Sequence, residues 1–425
     1  MRRSRLRAAV LVGCLASGGL VACPATALAS PQDVIGFGYR SIAMGNTGAA
    51  AAEGVDAVYH NPALLSASRA LALELGLLGS VFQFEADDTE VPLVDYGALS
   101  ATTIGGLLPL PFGGVLTDRV TIGLGFVTPT DVVVRGRILY PENPQFLLGD
   151  RVQTVAIQGG LGVDIGHGVR VGAGVMALAA LTGSVTVATD ASGRLGTVVE
   201  DTLVAAYAPV VGATYEFDAY RIGLTFRGVL QARFNVVIEA ENLGQLTIPP
   251  LNISGVAQYD PWQLAAEFAR VHGDFRFAAG VTYKRWPAYP GPVEATVRCE
   301  DQPDPTLPCL APPPADVAFR PVVSPRAGAE YTVPLGQENT FSARAGYAFE
   351  SANAPEQTGA TNYFDNQRSI FSLGYGITLP TLGLSLDGFL QSQLLHPRPH
   401  QKPSAPPIDT RGAIWSAGLA AEVAF

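Results

Sequence analysis

The sequence is poor in the residues on which most catalytic and metal-binding sites depend. Its 425 residues include only five histidines and four cysteines. It contains no G-x-S-x-G nucleophile elbow, no H-E-x-x-H zinc motif and no phosphate-binding P-loop. His396 and His400 lie close together in a predicted proline-rich loop, where solvation is expected rather than metal binding. We therefore expect no enzymatic activity and no cofactor.

The sequence also lacks an excess of positive charge. Its formal net charge is −10, with 27 basic and 37 acidic residues. The first 29 residues hold four arginines and no acidic residue, so their removal would lower the net charge to −14. A nucleic-acid partner normally requires a basic surface, and we expect none here.

Residues 1–29 are predicted to be a cleaved secretory signal. The arginine-rich start precedes an apolar core from Ala8 to Ala22, and Ala27-Leu28-Ala29 predicts cleavage before Ser30. A lipobox ending at Cys23 is the alternative, which would attach a lipid to that cysteine. Pro24 directly after the cysteine weighs against it.

No stretch of the sequence suits a membrane-spanning helix. The uncharged run at residues 96–117 contains five glycines and two prolines, which such a helix tolerates poorly. Elsewhere the apolar residues alternate with polar ones, which is the pattern of β-strands. One expected outward face comprises Tyr220, Ile222, Leu224, Phe226 and Leu230, and the opposite face comprises Arg221, Thr225, Arg227 and Gln231.

The lengths of the connections distinguish a membrane barrel from a soluble sandwich. Short joins such as residues 117–119 and 166–168 alternate with long ones such as 129–150 and 287–322. Short periplasmic turns and long external loops are typical of an outer-membrane barrel. The strands expected on this rule number fourteen: 69–83, 98–110, 119–129, 151–164, 169–180, 205–217, 219–231, 262–271, 274–286, 323–333, 340–350, 369–379, 382–392 and 412–425.

The predicted fold is therefore an all-β, antiparallel transmembrane barrel in the bacterial outer membrane. An even number of strands closes the barrel and leaves both chain ends on the periplasmic side. The last strand carries an apolar outward stripe and ends on Phe425, which resembles the signal read by barrel-assembly machinery. We expect a monomer surrounded by outer-membrane lipid and lipopolysaccharide.

Residues 35–65 carry several motifs in a fixed order. Ser41-Ile42-Ala43-Met44-Gly45 is followed by a run of small residues, by Asp56-Ala57-Val58-Tyr59 and by Asn61-Pro62-Ala63. This order resembles the N-terminal hatch of the FadL/TodX family, outer-membrane channels for long-chain fatty acids and other hydrophobic compounds. The resemblance implies a hatch at residues 30–68 inside a barrel at residues 69–425. The implied gating residues are Ser41, Met44, Gly45, Tyr59, Asn61, Pro62 and Ala63, and His60 is expected to form a structural hydrogen bond.

The resemblance implies passive uptake of long-chain fatty acids. An external loop at residues 131–148 is expected to expose apolar side chains and arginines for ligand capture: Arg135, Arg137, Leu139, Tyr140, Phe146 and Leu147. The equal alternative is that these side chains pack on the outer rim of the barrel. By alternation the cations Arg227, Arg276, Lys284 and Arg344 face the lumen, where a ligand carboxylate could bind. A gap at a kinked third strand, near Gly123 and Gly125, is the implied lateral exit.

Other functions remain compatible with the sequence. The channel could carry aromatic or other neutral hydrophobic compounds, which the residues do not distinguish from fatty acids. A non-transporting structural or adhesive barrel has no use for an internal hatch, and an open porin is disfavoured for the same reason.

The cysteine pair Cys299 and Cys309 generates the first testable prediction. Two cysteines in an exported chain are expected to form a disulfide. In the chain-entropy model, this bond stabilises the ordered loop by roughly 2 to 3 kcal/mol. Replacing both cysteines by serine should leave a folded barrel. The check is thiol labelling of outer-membrane protein under denaturing, non-reducing conditions, and two reactive thiols would contradict the prediction.

Overall fold

The computed structural model describes residues 31–87, 89–90, 98–130, 144–148, 155–189, 195–241, 251–289, 293–297, 317–359, 361–402 and 406–425. The predicted signal, Cys23, Cys299, Cys309 and most of the capture loop lie outside these ranges. None of the helices in the described ranges has the length and hydropathy needed to cross a membrane.

Fourteen long strands form the wall, as the sequence predicts. They are β1 Ala72–Ala86, β2 Ala98–Pro109, β3 Val120–Pro129, β4 Ala156–Gly166, β5 Val169–Thr189, β6 Leu195–Phe217, β7 Tyr220–Arg227, β8 Gln263–Arg270, β9 Phe275–Lys284, β10 Val322–Leu335, β11 Asn339–Glu350, β12 Arg368–Leu379, β13 Leu384–His400 and β14 Ile408–Ala424. Each strand pairs antiparallel with the next. The last strand pairs with the first, from Ala72 opposite Ala424 to Ala86 opposite Thr410. Closure leaves the wall without a free edge, so every wall strand has a hydrogen-bonded neighbour on each side.

Residues alternate between the two faces of the wall. Leu77, Leu390 and Leu419 point outward and are 63%, 64% and 59% exposed, whereas Arg227 and Lys284 point inward and are buried. An apolar exterior around a polar interior suits a barrel embedded in hydrocarbon.

Several strands and loops differ from the prediction. Strands β5 and β6 extend through residues predicted as loop, and β13 continues through His396 to His400. Further strands at Leu230–Glu241, Leu251–Asp260 and Val293–Val297 lie in predicted loops, and the first pairs with the extension of β5. Leu230 was expected on the outward face, but β7 ends before it and its side chain is fully buried. The membrane sets a minimum strand length, and backbone pairing beyond the membrane lengthens strands further.

Short connections join the strands at one end of the barrel. Asp118, His167 and Asp218 occupy these turns with φ values of 55°, 53° and 50°. The left-handed conformation reverses the chain within a few residues, and Asp is among the residues that tolerate it. Three-residue 3₁₀ turns also occur at Gly114–Leu116, Trp286–Ala288 and Pro380–Leu382.

Three two-residue strands are also present in the described residues. Thr89–Glu90 pairs with the end of β1. Gln145–Phe146 pairs parallel with Tyr363–Phe364, which joins two connections at the end of the barrel opposite the short turns.

The N-terminal segment, residues 31–67, precedes the wall. It contains α1 Pro31–Val34, α2 Tyr39–Ala43, a 3₁₀ turn at Gly54–Asp56, α3 Ala57–His60 and a 3₁₀ helix at Pro62–Ala67. Its residues from 32 to 66 are buried, except Glu53 and Gly54. It contacts inward faces of strands around the circumference, so it lies in the lumen.

Glycines in the wall allow this close contact. A Cβ added at Gly223 would lie 1.9 Å from the Ala49 carbonyl oxygen, and one at Gly346 would lie 2.0 Å from the Gly45 nitrogen. Such distances are far below van der Waals contact. The inward glycines therefore let the backbone of the N-terminal segment lie directly against the backbone of the wall.

Candidate functional site

A carboxylate on the wall binds the small-residue run of the N-terminal segment. The backbone N–H groups of four successive residues, Gly48 to Ala51, donate to the Glu267 carboxylate at 2.8, 3.3, 2.9 and 2.9 Å. Glu267 lies on β8, points inward and is buried. Small side chains leave the backbone accessible, so the run wraps around the anion as a nest.

An ion-pair network fixes the segment to the neighbouring strands β9, β10 and β11. The Arg40 guanidinium donates to both oxygens of Glu330 on β10, at 2.9 and 3.1 Å, and to the Ala51 carbonyl oxygen at 2.7 Å. Arg344 donates to the same carboxylate at 2.6 Å. Arg276 donates to Glu53 of the segment at 2.6 Å.

A buried lysine holds helix α1. The Lys284 ammonium lies 2.9 Å from an Asp33 oxygen and 2.9 Å from a Glu350 oxygen, and its side chain is fully buried. The Gln263 amide donates to Asp33 at 2.8 Å. A buried charge of this kind is tolerated only when it is paired, so α1 and the wall depend on each other.

The Asn-Pro-Ala motif connects two parts of the segment. The Asn61 amide donates to the Ala49 carbonyl oxygen at 2.6 Å and accepts from the Ala63 N–H at 3.1 Å. Pro62 occupies the first turn of the following 3₁₀ helix, where its missing N–H costs nothing. Asn61 is fully buried beside Gly212 of β6.

Aromatic and imidazole groups complete the contact. The Arg227 guanidinium lies 4.0 Å from the centroid of the Tyr59 ring and donates to the Tyr59 carbonyl oxygen at 2.8 Å. His60 Nε2 lies 2.9 Å from the Phe37 carbonyl oxygen. Burial lowers the pKa of His60 to about 3, so the ring is neutral and Nε2–H donates this bond.

The other predicted gating residues lie in the same contact zone. The Ser41 N–H donates to Asp56 at 2.8 Å, which joins α2 to the turn before α3. Met44 and Gly45 lie against Gly328 and Gly346 of the wall. The structure therefore brings all seven predicted hatch residues into one buried segment, while their role in gating remains a prediction.

Two aromatic clusters lie beyond the segment, toward the long connections. Phe84 stacks on Phe146 at 4.7 Å between ring centroids, and Phe146 meets Phe364 edge-on at 5.5 Å. A second cluster joins Tyr259, Trp286, Tyr289 and Phe319. The expectation that Phe146 and Leu147 are exposed is wrong, because both are buried: pairing with Tyr363–Phe364 draws this part of the loop into the apolar cluster.

The lumen on the short-turn side of the segment is polar. A cavity of about 230 Å³ there is lined by charged and hydroxyl side chains, among them Glu53, Asp56 and Arg276. The N-terminal segment therefore lies between the aromatic clusters and a polar cavity.

The predicted ligand-binding residues are divided between described and undescribed parts of the chain. Arg135, Arg137, Leu139 and Tyr140 lie outside the described residues. Arg227, Arg276 and Lys284 face the lumen, where they contact the N-terminal segment and wall carboxylates. Ligand binding by these residues stays a prediction.

The expected gap at the third strand is absent from the described wall. β3 pairs with β2 and with β4 without a register shift from Val120 to Val127. Gly123 and Gly125 instead provide space for segment side chains, since an added Cβ would lie 2.6 Å from Leu65 and 2.8 Å from Phe37. Exit of a ligand from the barrel at this strand stays a prediction.

Sequence reasoning missed the acidic residues that hold the segment. Glu267, Glu330 and Glu350 all occupy inward positions of wall strands, which alternation could have indicated. For Glu267 and Glu330, the partners in the N-terminal segment lie more than 200 residues away in the sequence. No local pattern identifies such pairs.

Comparison with solved structures identifies the fold. A Pseudomonas aeruginosa FadL homologue superposes with a TM-score of 0.58 at 14% identity, covering 94% of this chain and 98% of that one. The CymD monoaromatic hydrocarbon channel gives 0.56 at 14% identity, with 92% and 98% covered. The Ralstonia pickettii toluene transporter TbuX gives 0.54 at 16% identity, with 92% and 99% covered. No protein-family model and no curated protein matches the chain.

These similarities confirm the resemblance to the FadL/TodX family at the level of the fold. They extend over the whole barrel, whereas the sequence motifs cover only residues 35–65. At identities of 16% or less, substrate and gating do not follow from them.

The nest around Glu267 generates the second prediction. Glu267→Gln keeps the side-chain shape but loses the charge that strengthens four hydrogen bonds, each worth about 1.5 to 3 kcal/mol. The variant should insert as a heat-modifiable barrel yet admit small hydrophilic solutes. Liposome swelling with arabinose measures this leak.

Glu338→Gln is the matched control, because Glu338 is exposed in a short turn. It should show no leak. A Glu267→Gln barrel as tight as the control would show that the nest is not required to hold the segment.

Proposed function

We propose that the protein is an outer-membrane channel for passive uptake of hydrophobic compounds, including long-chain fatty acids, and that residues 31–67 are its hatch. The observation that carries this proposal is the divided lumen. A buried segment, bound to the wall by charged groups, separates an apolar compartment under the long connections from a polar one at the short turns. The solved channels of the same fold named above support a transport function.

The apolar compartment suits a hydrophobic ligand arriving from outside. Aromatic side chains pack against one another in the clusters around Phe146 and Trp286. The alkyl chain or aromatic ring of a ligand can make the same kind of contact with them. Arg135 and Arg137, on the loop that leads to Phe146, would bind a carboxylate first.

The paired cations suggest how a carboxylate ligand opens the hatch. Lys284 is bound to Asp33 of α1, so a ligand carboxylate can take the place of Asp33 without leaving a buried charge unpaired. Release of Asp33 detaches α1 from β9. Arg227 and Arg276 contact the hatch in the same way and would release Tyr59 and Glu53.

The exit follows from where the hatch packs. Withdrawal of Leu65 and Phe37 would remove two of the side chains that lie over Gly123 and Gly125 on the inward surface of β3. We propose that the ligand leaves sideways there. The gradient alone drives transport, because the sequence has no nucleotide-binding motif.

The surroundings of the barrel are inferred in the same way. The outward residues Trp415 and Leu419 of β14 and the terminal Phe425 are exposed, which suits outer-membrane lipid and recognition by barrel-assembly machinery. We propose that the channel functions as a monomer after removal of residues 1–29.

The Asn61 motif generates the third prediction. Asn61→Ala removes the amide that joins Ala49 to the 3₁₀ helix and should cut oleate uptake several-fold while the barrel still inserts. Labelled-oleate uptake by cells measures the effect, and heat-modifiable migration verifies insertion. Asn339→Ala, at the start of β11 beside a short turn, is the control and should retain uptake.

Deletion of residues 35–65 is the second arm of this test. It should make the same cells sensitive to a large hydrophilic antibiotic. Full uptake in Asn61→Ala together with no added sensitivity in the deletion would contradict a hatch function.

Specificity for fatty acids generates the fourth prediction. Arg135→Ala with Arg137→Ala should reduce oleate uptake more than hexadecane uptake, because only oleate has a carboxylate for a charge-assisted contact. The expected loss is modest, about three- to tenfold, which is the size of one exposed contact. Equal losses for both compounds would assign the arginines to shaping the loop and favour a channel for neutral compounds.

A further inference from the structure

A cavity at the long-connection rim of the barrel has no role in the proposed transport. It measures about 400 Å³ and lies where β10 and β12 begin and β11 and β13 end. Its polar side chains are Arg320, Ser351, Gln367, His396 and Arg398. We call this cavity the rim pocket.

In the part of the chain that the structure describes, the rim pocket is lined by hydrogen-bond donors and by no carboxylate. Arg320 and Arg398 are cationic, His396 contributes an imidazole, and none of the described residues that line it is an Asp or Glu. The whole chain, by contrast, has 37 acidic and 27 basic residues. The nearby Asp365 is buried and accepts from the Asn353 N–H at 2.6 Å. Two arginines and an imidazole around one cavity indicate an anion site.

Backbone contacts hold the Arg398 guanidinium and the main chain of Arg320 in place. Arg398 Nη1 donates to the carbonyl oxygens of Ala354 and Asp365, both at 2.9 Å, and β13 bulges just before it. The Arg320 N–H donates to the Asn353 carbonyl oxygen at 2.7 Å, and its side chain is exposed. Because this backbone bond does not involve the guanidinium, Arg320 can be replaced without removing it.

The outer wall directly beside the pocket is aromatic. The Phe349 ring lies 6.1 Å from the His396 ring, and Tyr347 and Phe371 are exposed with centroids 5.2 Å apart. His396 Nε2 lies 2.9 Å from Ser369 Oγ, which joins the pocket to this aromatic band. Aromatic bands mark the boundary between hydrocarbon and headgroups, so the rim pocket lies at the level of lipid headgroups.

We propose that the rim pocket binds a phosphate group of an outer-leaflet glycolipid, whose acyl chains lie along the aromatic wall of β11 and β12. A guanidinium matches phosphate with two parallel hydrogen bonds, and the cavity is large enough for a phosphorylated sugar. The orientation with the long connections outside rests on the proposed outer-membrane location. Binding here fixes the surrounding lipid and is independent of the hatch.

The test uses full-length protein purified in detergent and native mass spectrometry. Three probes are titrated: diphosphorylated lipid A, the same lipid with both phosphates removed, and inorganic phosphate. The variant is Arg320→Ala with His396→Ala. The control is Arg270→Ala with His272→Ala, an exposed arginine and histidine near the short-turn rim.

The variant should bind diphosphorylated lipid A about tenfold more weakly than wild type, as expected for loss of charge-assisted contacts. The control should change less than about twofold. The dephosphorylated lipid should bind weakly to all three proteins. Inorganic phosphate should compete with the phosphorylated lipid in wild type only at much higher concentration.

Three results would overturn the proposal. Equal binding of phosphorylated and dephosphorylated lipid would show that phosphate is not recognised, and an equal loss in the control would show non-specific charge attraction. Inorganic phosphate binding as tightly as the lipid would assign the pocket to a soluble anion. Oleate uptake by the Arg320→Ala, His396→Ala variant should equal wild type, so failure here is distinguishable from failure of the transport proposal.

Discussion

The structure depends on hydrogen bonds to the backbone N–H groups of an irregular segment inside the barrel. Four N–H groups of residues 48–51 donate to the Glu267 carboxylate, so one wall side chain meets the hydrogen-bonding needs of a whole turn. Without it, these buried donors would each cost about 1 to 3 kcal/mol. The small-residue run is needed for the same reason, because larger side chains would separate the backbone from the carboxylate.

Charge pairing adds a second constraint on the N-terminal segment. Arg40 with Glu330 and Lys284 with Asp33 cross from segment to wall in buried surroundings. Removal of one partner from a buried pair costs about 3 to 5 kcal/mol. The segment therefore cannot withdraw unless the wall charges gain other partners. In the proposed mechanism, a ligand that brings its own carboxylate meets this requirement.

The division of the lumen links these contacts to the proposed transport. The aromatic groups around Phe146 and Trp286 lie on one side of the segment, and the polar cavity lined by Asp56 and Arg276 lies on the other. A hydrophobic compound is stable in the first compartment and unstable in the second. An exit through the wall, rather than straight through the barrel, is consistent with this difference.

The sequence by itself determined the wall and the position of the segment. Period-two alternation and the order of short and long connections predict fourteen strands, and the motifs from Ser41 to Ala63 predict a compact segment before them. These features are local, because a strand's inward and outward faces are set by residues two apart. The resemblance to one channel family rested on about thirty residues and was confirmed for the fold.

Only the tertiary structure decided which inward residues meet. Alternation shows that Glu267 and Lys284 face the lumen, but their partners at residues 48–51 and Asp33 are more than 200 residues away. Likewise, the burial of Phe146 follows from pairing with Phe364, and side chains of the N-terminal segment fill the space at the glycines of β3. Barrel closure brings these distant positions together, and no local pattern contains that information.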